Sequence, residues 1–185
     1  MLTTCGASGS IRPLSTISPQ AAEAAIAAVF GPGRFARAAQ RLRERAQSRL
    51  DWGCACVAAD GSIAGVVQAW AITAGGAPAV FFGPLAVLPN HRRQGVSAGL
   101  VRAGLQAARA AGETRAVVFG QLSVFGPLGF VRAQPGRFTP PGWLNPDKLL
   151  IQDLRPGAFA GVSGALLGPS AGRALSVPLA PKPQR

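Results

Sequence analysis

Gly83-Pro84-Leu85-Ala86-Val87-Leu88-Pro89-Asn90-His91-Arg92-Arg93-Gln94-Gly95-Val96-Ser97 decides how this chain folds. Its first half is an apolar strand stopped by Pro89-Asn90, and its end opens a helix running from about Val96 to Ala111. Val96, Leu100, Val101, Leu105 and Ala108 recur at helical spacing, with Arg102, Gln106, Arg109 and Glu113 on the opposite side. The loop between them therefore aims unpaired backbone amides and the positive end of a helix dipole at one spot. Gly95 lets the backbone turn and approach an oxygen closely, Ser97 offers a hydroxyl, and Arg92 and Arg93 add charge. Such a spot binds phosphate. It has neither the three glycines of a dinucleotide fingerprint nor the Gly-Lys-Ser/Thr of a Walker loop.

Working outward, Gly112 ends the helix and Ala116-Val117-Val118-Phe119-Gly120 is a buried strand, so a parallel pair with a crevice at its carboxyl end is predicted. Upstream, Trp52 to Val57, Ile63 to Ile72 and Ala79 to Leu88 form an antiparallel meander, turned at Asp60-Gly61 and at Gly75-Gly76-Ala77-Pro78. A short strand at Ile11 to Leu14 precedes a helix capped by Ser18-Pro19, with Ala22, Ala25, Ile26, Val29 and Phe30 inward. A second helix from about Phe35 carries Phe35, Ala38, Ala39, Leu42, Ala46 and Leu50 on one stripe. The arginines at 34, 37, 41, 43, 45 and 49 lie mostly off that stripe and form a solvated face. Beyond the parallel pair come a helical turn over Ser123 to Leu128 with Ser123 as its N-cap, and strands at Phe130 to Arg132 and Leu149 to Leu154. Trp70 belongs to a sheet strand and Trp143 to a proline-rich loop; neither is assigned to a site.

The 185 residues suffice for one domain with a real core, and 24 Gly and 16 Pro place irregular structure at the ends. The expected division is a flexible N-terminus over 1–9, a domain over 10–156 and a Gly/Ala/Pro-rich tail over 157–185. No apolar run reaches the roughly 20 residues of a membrane span, and Met1 to Ser10 lacks the features of a secretory signal, so a cytoplasmic protein is expected. Cys54 and Cys56 alternate on one strand face as small hydrophobes, and with His91 distant no metal site is expected. The net charge of +12 suits an anionic partner.

The loop Arg92-Arg93-Gln94-Gly95-Val96-Ser97 resembles the acetyl-CoA signature R/Q-x-x-G-x-G/A of the GNAT superfamily, with Ser97 in place of the last Gly or Ala. Gly83 to Pro89 looks like that family's fourth strand, and Phe125-Gly126-Pro127-Leu128-Gly129-Phe130 like its F/Y-x-x-x-G-F element. The segment Leu154 to Gly164 is similar to the ending of predicted bacterial acetyltransferases of the YhbS type. The resemblance implies an α/β (α+β) GNAT fold: a mostly antiparallel mixed sheet of six to seven strands, helices on both faces, and a splayed parallel pair holding acyl-CoA. It also implies that Leu85, Ala86 and Val87 contact the pantetheine arm and that Arg92, Arg93, Gln94, Gly95, Val96 and Ser97 hold the pyrophosphate. The implied reaction is N-acetyl transfer from acetyl-CoA to a primary amine by direct attack. No metal or membrane enters it, and the resemblance leaves room for a homodimer.

In the family a tyrosine commonly protonates the leaving thiolate. Its position here is Phe125, the chain has no tyrosine, and the strand Ala79 to Leu88 contains no Asp or Glu to serve as base. No catalytic residue is therefore assigned, although Ser123 is a candidate weak helper. The alternatives are a catalytically weakened acyl-CoA-binding domain and, ranked last, a basic nucleic-acid-binding protein. The latter needs aromatics between its basic residues, whereas the Trp and Phe here sit mostly inside apolar runs.

Overall fold

The computed structural model describes residues 4–5, 9–33 and 38–169. Phe35, Arg34, Arg37 and the segment 170–185 lie outside these described residues.

The N-terminal part contains β1 (Thr4–Cys5), β2 (Gly9–Pro13) and α1 (Pro19–Phe30). Thr4 and Cys5 pair with Ser10 and Gly9, so part of the expected flexible N-terminus belongs to the sheet. The Ser18 side chain accepts from the Ala21 amide at 3.4 Å and Pro19 starts the helix, as the sequence indicates. Ala22, Ala25 and Ile26 are buried with Leu14, Ala55, Val66 and Ala86. α2 (Ala38–Arg43) is shorter than its apolar stripe predicts, because Gln47 and Ser48 leave the helix as β3 (Gln47–Ser48).

The meander consists of β4 (Cys54–Val57), β5 (Ile63–Ala74) and β6 (Ala77–Val87). β6 covers one edge of β5, while β4 reaches only to Val67 on the other. The exposed backbone beyond that point needs partners. β3 takes Trp70 and Ala71, and β11 (Gly164–Leu167) takes Thr73 and Ala74. This demand for a strand partner overrides the helical stripe running through Ala46 and Leu50.

α3 (Val96–Ala110) follows and buries the predicted stripe of Val96, Leu100, Val101, Leu105 and Ala108 against one sheet face. That face also holds Cys54 and Cys56, and burial pushes the Cys54 thiol up to about 11. α1 and α2 pack on the opposite face. Then come β7 (Arg115–Phe119), α4 (Leu122–Phe125), β8 (Val131–Arg132), β9 (Phe138–Thr139) and β10 (Leu149–Asp153).

The main strand order is β1-β2-β4-β5-β6-β7-β10-β8, with β3, β9 and β11 branching from it. The mixed sheet with helices on both faces follows the expectation; four of the eleven strands are two-residue segments, leaving seven longer ones. Among the described residues no helix is long and apolar enough to cross a membrane.

The stretch from Gly157 to Leu167 is not the loose tail that its Gly/Ala composition suggests. Ala158, Phe159 and Leu166 are buried, and the Phe159 ring meets Phe138 edge-on at 5.6 Å. The Asp153 carboxylate accepts from the amides of Gly157 and Phe159, at 3.2 and 2.8 Å. The Arg137 guanidinium donates to the carbonyls of Phe159 and Val162. Two charged side chains thus supply the order that the local composition lacks. Phe159→Ala should lower the unfolding free energy by about 3 kcal/mol or more, the usual cost of emptying a buried aromatic site. Urea denaturation measures this, and a loss near zero would restore the loose-tail reading.

Candidate functional site

β6 and β7 run parallel only through Val80↔Ala116, Phe81↔Val117 and Phe82↔Val118. Beyond Phe82, β6 bulges. Val67 pairs with Leu85 but Ala69 pairs with Phe82, so Gln68 faces two residues, Gly83 and Pro84. Gly83 takes φ +152°, a backbone that L side chains rarely adopt, and Pro84 has no amide to give a ladder. The Trp70 indole N–H donates to the Gly83 carbonyl at 2.8 Å and clamps the bulge. After it, β6 stays with β5 through Val87, whereas β7 stays with β10 through Phe119↔Leu149 and the Gly120 amide bonded to the Lys148 carbonyl at 2.8 Å. The two strands separate, and a cavity of about 940 Å³ opens between them.

The glycine loop lies at the β6 side of this opening. Arg93 (φ +61°) and Gly95 (φ +78°) turn the backbone into the left-handed region just before α3. The space where a Gly95 Cβ would stand has no atom within 4 Å. The first bond within α3 is Gly99 N–H to the Gly95 carbonyl at 3.0 Å, so the amides ahead of Gly99 head the helix. Arg92 Nε reaches back to the Val87 carbonyl at 3.3 Å, and Gln94 Nε2 to the Asn90 carbonyl at 2.9 Å, tying the loop to its own strand end.

Of the residues singled out from the sequence, Leu85, Val87, Arg92 and Ser97 line the cavity together. Ala86 turns to the opposite face and is buried beside α1. The Val96 side chain is buried under α3, so only its backbone can serve a ligand. Arg93, Gln94 and Gly95 are exposed on the loop.

The β7 side of the cavity is formed by Phe119, Gly120, Gln121, Val124 and Phe125. Phe125 is buried, meets Phe130 edge-on at 5.6 Å and lies so close to Gly120 that no Cβ fits there. Ser123 is neither the predicted cap nor a cavity residue. It is exposed inside α4, whose N-cap position is Gln121 with no side-chain bond.

The far wall contains residues that sequence reasoning passed over. Arg41 and Arg43, expected on a solvated helix face, line the cavity with Lys148 and with Trp143, which is 88% exposed. Together with Arg92, four basic side chains line the space, and no Asp or Glu does so among the described residues. The shifted titratable groups lie elsewhere: burial raises the Glu113 carboxyl, and Arg49 hydrogen bonding lowers that of Asp51. Glu113 lines a separate cavity of about 490 Å³ near the β5–β6 turn and β11. Trp70 gave no signal in sequence, since its partner Gly83 comes within reach only through the β5–β6 register.

No curated protein matches this chain. The chain is similar in structure to the Escherichia coli GNAT family N-acetyltransferase YhbS, solved in complex with CoA, with a TM-score of 0.73 and 24% identity over 91% of this chain and 93% of that one. A Brucella melitensis GNAT family acetyltransferase solved in complex with acetyl-CoA gives 0.52 at 25% identity, covering 65% of this chain and 81% of its own. A putative N-acetyltransferase from Lactobacillus plantarum gives 0.58 at 17% identity over 80% and 99%. The acetyltransferase (GNAT) family profile matches residues 25–123, more than half the chain, from within α1 through the meander, the glycine loop, α3 and β7, and the protein belongs to that family.

Proposed function

We propose that the protein transfers an acetyl group from acetyl-CoA to a primary amine. The observation that carries this reading is the separation of β6 from β7 beside a helix start whose Gly95 leaves open space. An extended pantetheine arm would lie along the β6 edge at Leu85, Ala86 and Val87, taking the place of the departed strand. The diphosphate would sit on the backbone of Arg92 to Ser97, with the Ser97 hydroxyl and the Arg92 guanidinium as further donors. The Arg92 bond to Val87 is long enough to be exchanged for a phosphate.

The chemistry is one of position. The neutral amine attacks the thioester carbonyl carbon, the C–S bond of the tetrahedral adduct breaks, and an amide and the coenzyme thiolate form. The proton lost by nitrogen balances the one gained by sulfur. With no carboxylate on the cavity wall among the described residues, the amine must arrive neutral, and holding the two reactants together supplies the acceleration. Phe125, on the wall beside Gly120, has no proton for the thiolate, so water supplies it. That residue favours a second reading, a domain that binds acyl-CoA with weak turnover.

Acetyl-CoA should raise the melting temperature, since a ligand held only by the folded state stabilises it by mass action. Gly95→Val should abolish the shift, with the apoprotein losing about 1–3 kcal/mol to backbone strain. A preserved shift in that variant would move the coenzyme elsewhere. Phe125→Tyr should raise thiol release on the order of a hundredfold by giving the thiolate an acid. An unchanged rate at unchanged coenzyme affinity would mean that protonation does not limit turnover.

A further inference from the structure

The cavity wall is cationic, and that bears on which amine it can receive. α2 ends inside its wall: Arg41, with its stem against Gly142, and Arg43 project from the last turn, and Lys148 faces in from the segment before β10. Arg43 is held in place, donating to Gln40 Oε1 at 2.6 Å with its guanidinium 5.8 Å from the Trp70 ring centre. Three other arginines have evident structural tasks. Arg49 pairs with Asp51 at 2.8 Å and stacks on Trp52 at 3.5 Å, and Arg115 and Arg137 bond backbone carbonyls. Arg41 and Lys148 have no such task among the described residues, and both line the cavity.

A plain ammonium approaching this wall meets four cations and, among the described residues, no anion. Repulsion disfavours it. An amine that carries its own oxyanion reverses the sign, because the guanidinium fork matches a carboxylate or phosphate in a bidentate way. The same cations then disfavour the protonated form of the amine and favour the nucleophile, which answers the missing base.

We propose that the acceptor is a primary amine bearing a carboxylate or phosphate, and that Arg41, Arg43 and Lys148 receive that oxyanion. This rests on the acetyl-transfer reading above. It adds a substrate class and assigns to specificity three residues that the coenzyme does not need.

The test uses matched pairs at equal concentration of neutral amine: glycine and glycinamide, β-alanine and β-alaninamide, phosphoethanolamine and ethanolamine. Each is followed by thiol release and by calorimetric binding to the full chain. The anionic member should win by about tenfold or more in kcat/KM, the scale of hydrogen bonds to a charged group. Preference in the amino-acid pairs alone identifies a carboxylate acceptor, and in the phosphoethanolamine pair alone a phosphate. Arg41→Gln with Arg43→Gln should erase the preference and leave acetyl-CoA affinity unchanged. Neutral members that do as well, or a preference that survives in the double variant, would overturn the proposal. Absence of acetyl-CoA binding would defeat the transfer reading alone. In that event Arg-dependent calorimetric binding of the anionic amines would still support the oxyanion site, and its absence would overturn it.

Discussion

Everything at this site depends on two residues of β6 facing one of β5. A regular ladder would keep β6 beside β7 to their ends, and the sheet would close. The Gly83–Pro84 bulge breaks that geometry, because Gln68 cannot pair with both residues. Trp70 holds the result by giving its indole N–H to Gly83, a bond with a net worth of about 1 kcal/mol. On the other side, Gly120 and Phe119 bind β7 to the β10 segment, so each strand is held by its outer neighbour and the crevice between them persists. A tryptophan that looks like ordinary core therefore shapes the opening.

The charge of the chain acquires a location from this frame. Arg92 lines the cavity beside the glycine loop, and Arg41, Arg43 and Lys148 line it from α2 and from the segment before β10. A negatively charged coenzyme and a negatively charged acceptor would each offset part of this field. Together they would fill a space whose empty form concentrates like charge. Elsewhere, Arg115 and Arg137 anchor backbone carbonyls, Arg49 pairs with Asp51, and Arg132 pairs with Asp147 at 3.5 Å.

Much of the fold was legible because local signals and tertiary demands coincide. Ser18-Pro19 opens α1, the stripe from Val96 to Ala108 is buried in full, and the run Ala116 to Phe119 is the parallel partner of β6. The loop at Gly95 was marked by its place between an apolar strand and an amphipathic helix. Where tertiary demand wins, the reading departs. Gln47 and Ser48 leave their helix to cover the β5 edge, and Phe159 and Leu166 are ordered by distant partners, Phe138 and Ala74, and by the charges of Asp153 and Arg137. Arg41 and Arg43 were hidden for a related reason: helical periodicity separates polar from apolar faces, but only the path of the chain decides whether the polar face looks at water or into a cavity.

On the proposed reading the acyl donor lies in the space between β6 and β7. A crystal structure of the protein with acetyl-CoA measures this directly. The thioester is expected between the β6 bulge and Phe125, the pantetheine arm along Leu85 to Val87, and the diphosphate within hydrogen-bonding distance of the backbone from Arg92 to Ser97. Coenzyme density elsewhere, or a loop at Gly95 that contacts only solvent in the complex, would contradict that reading.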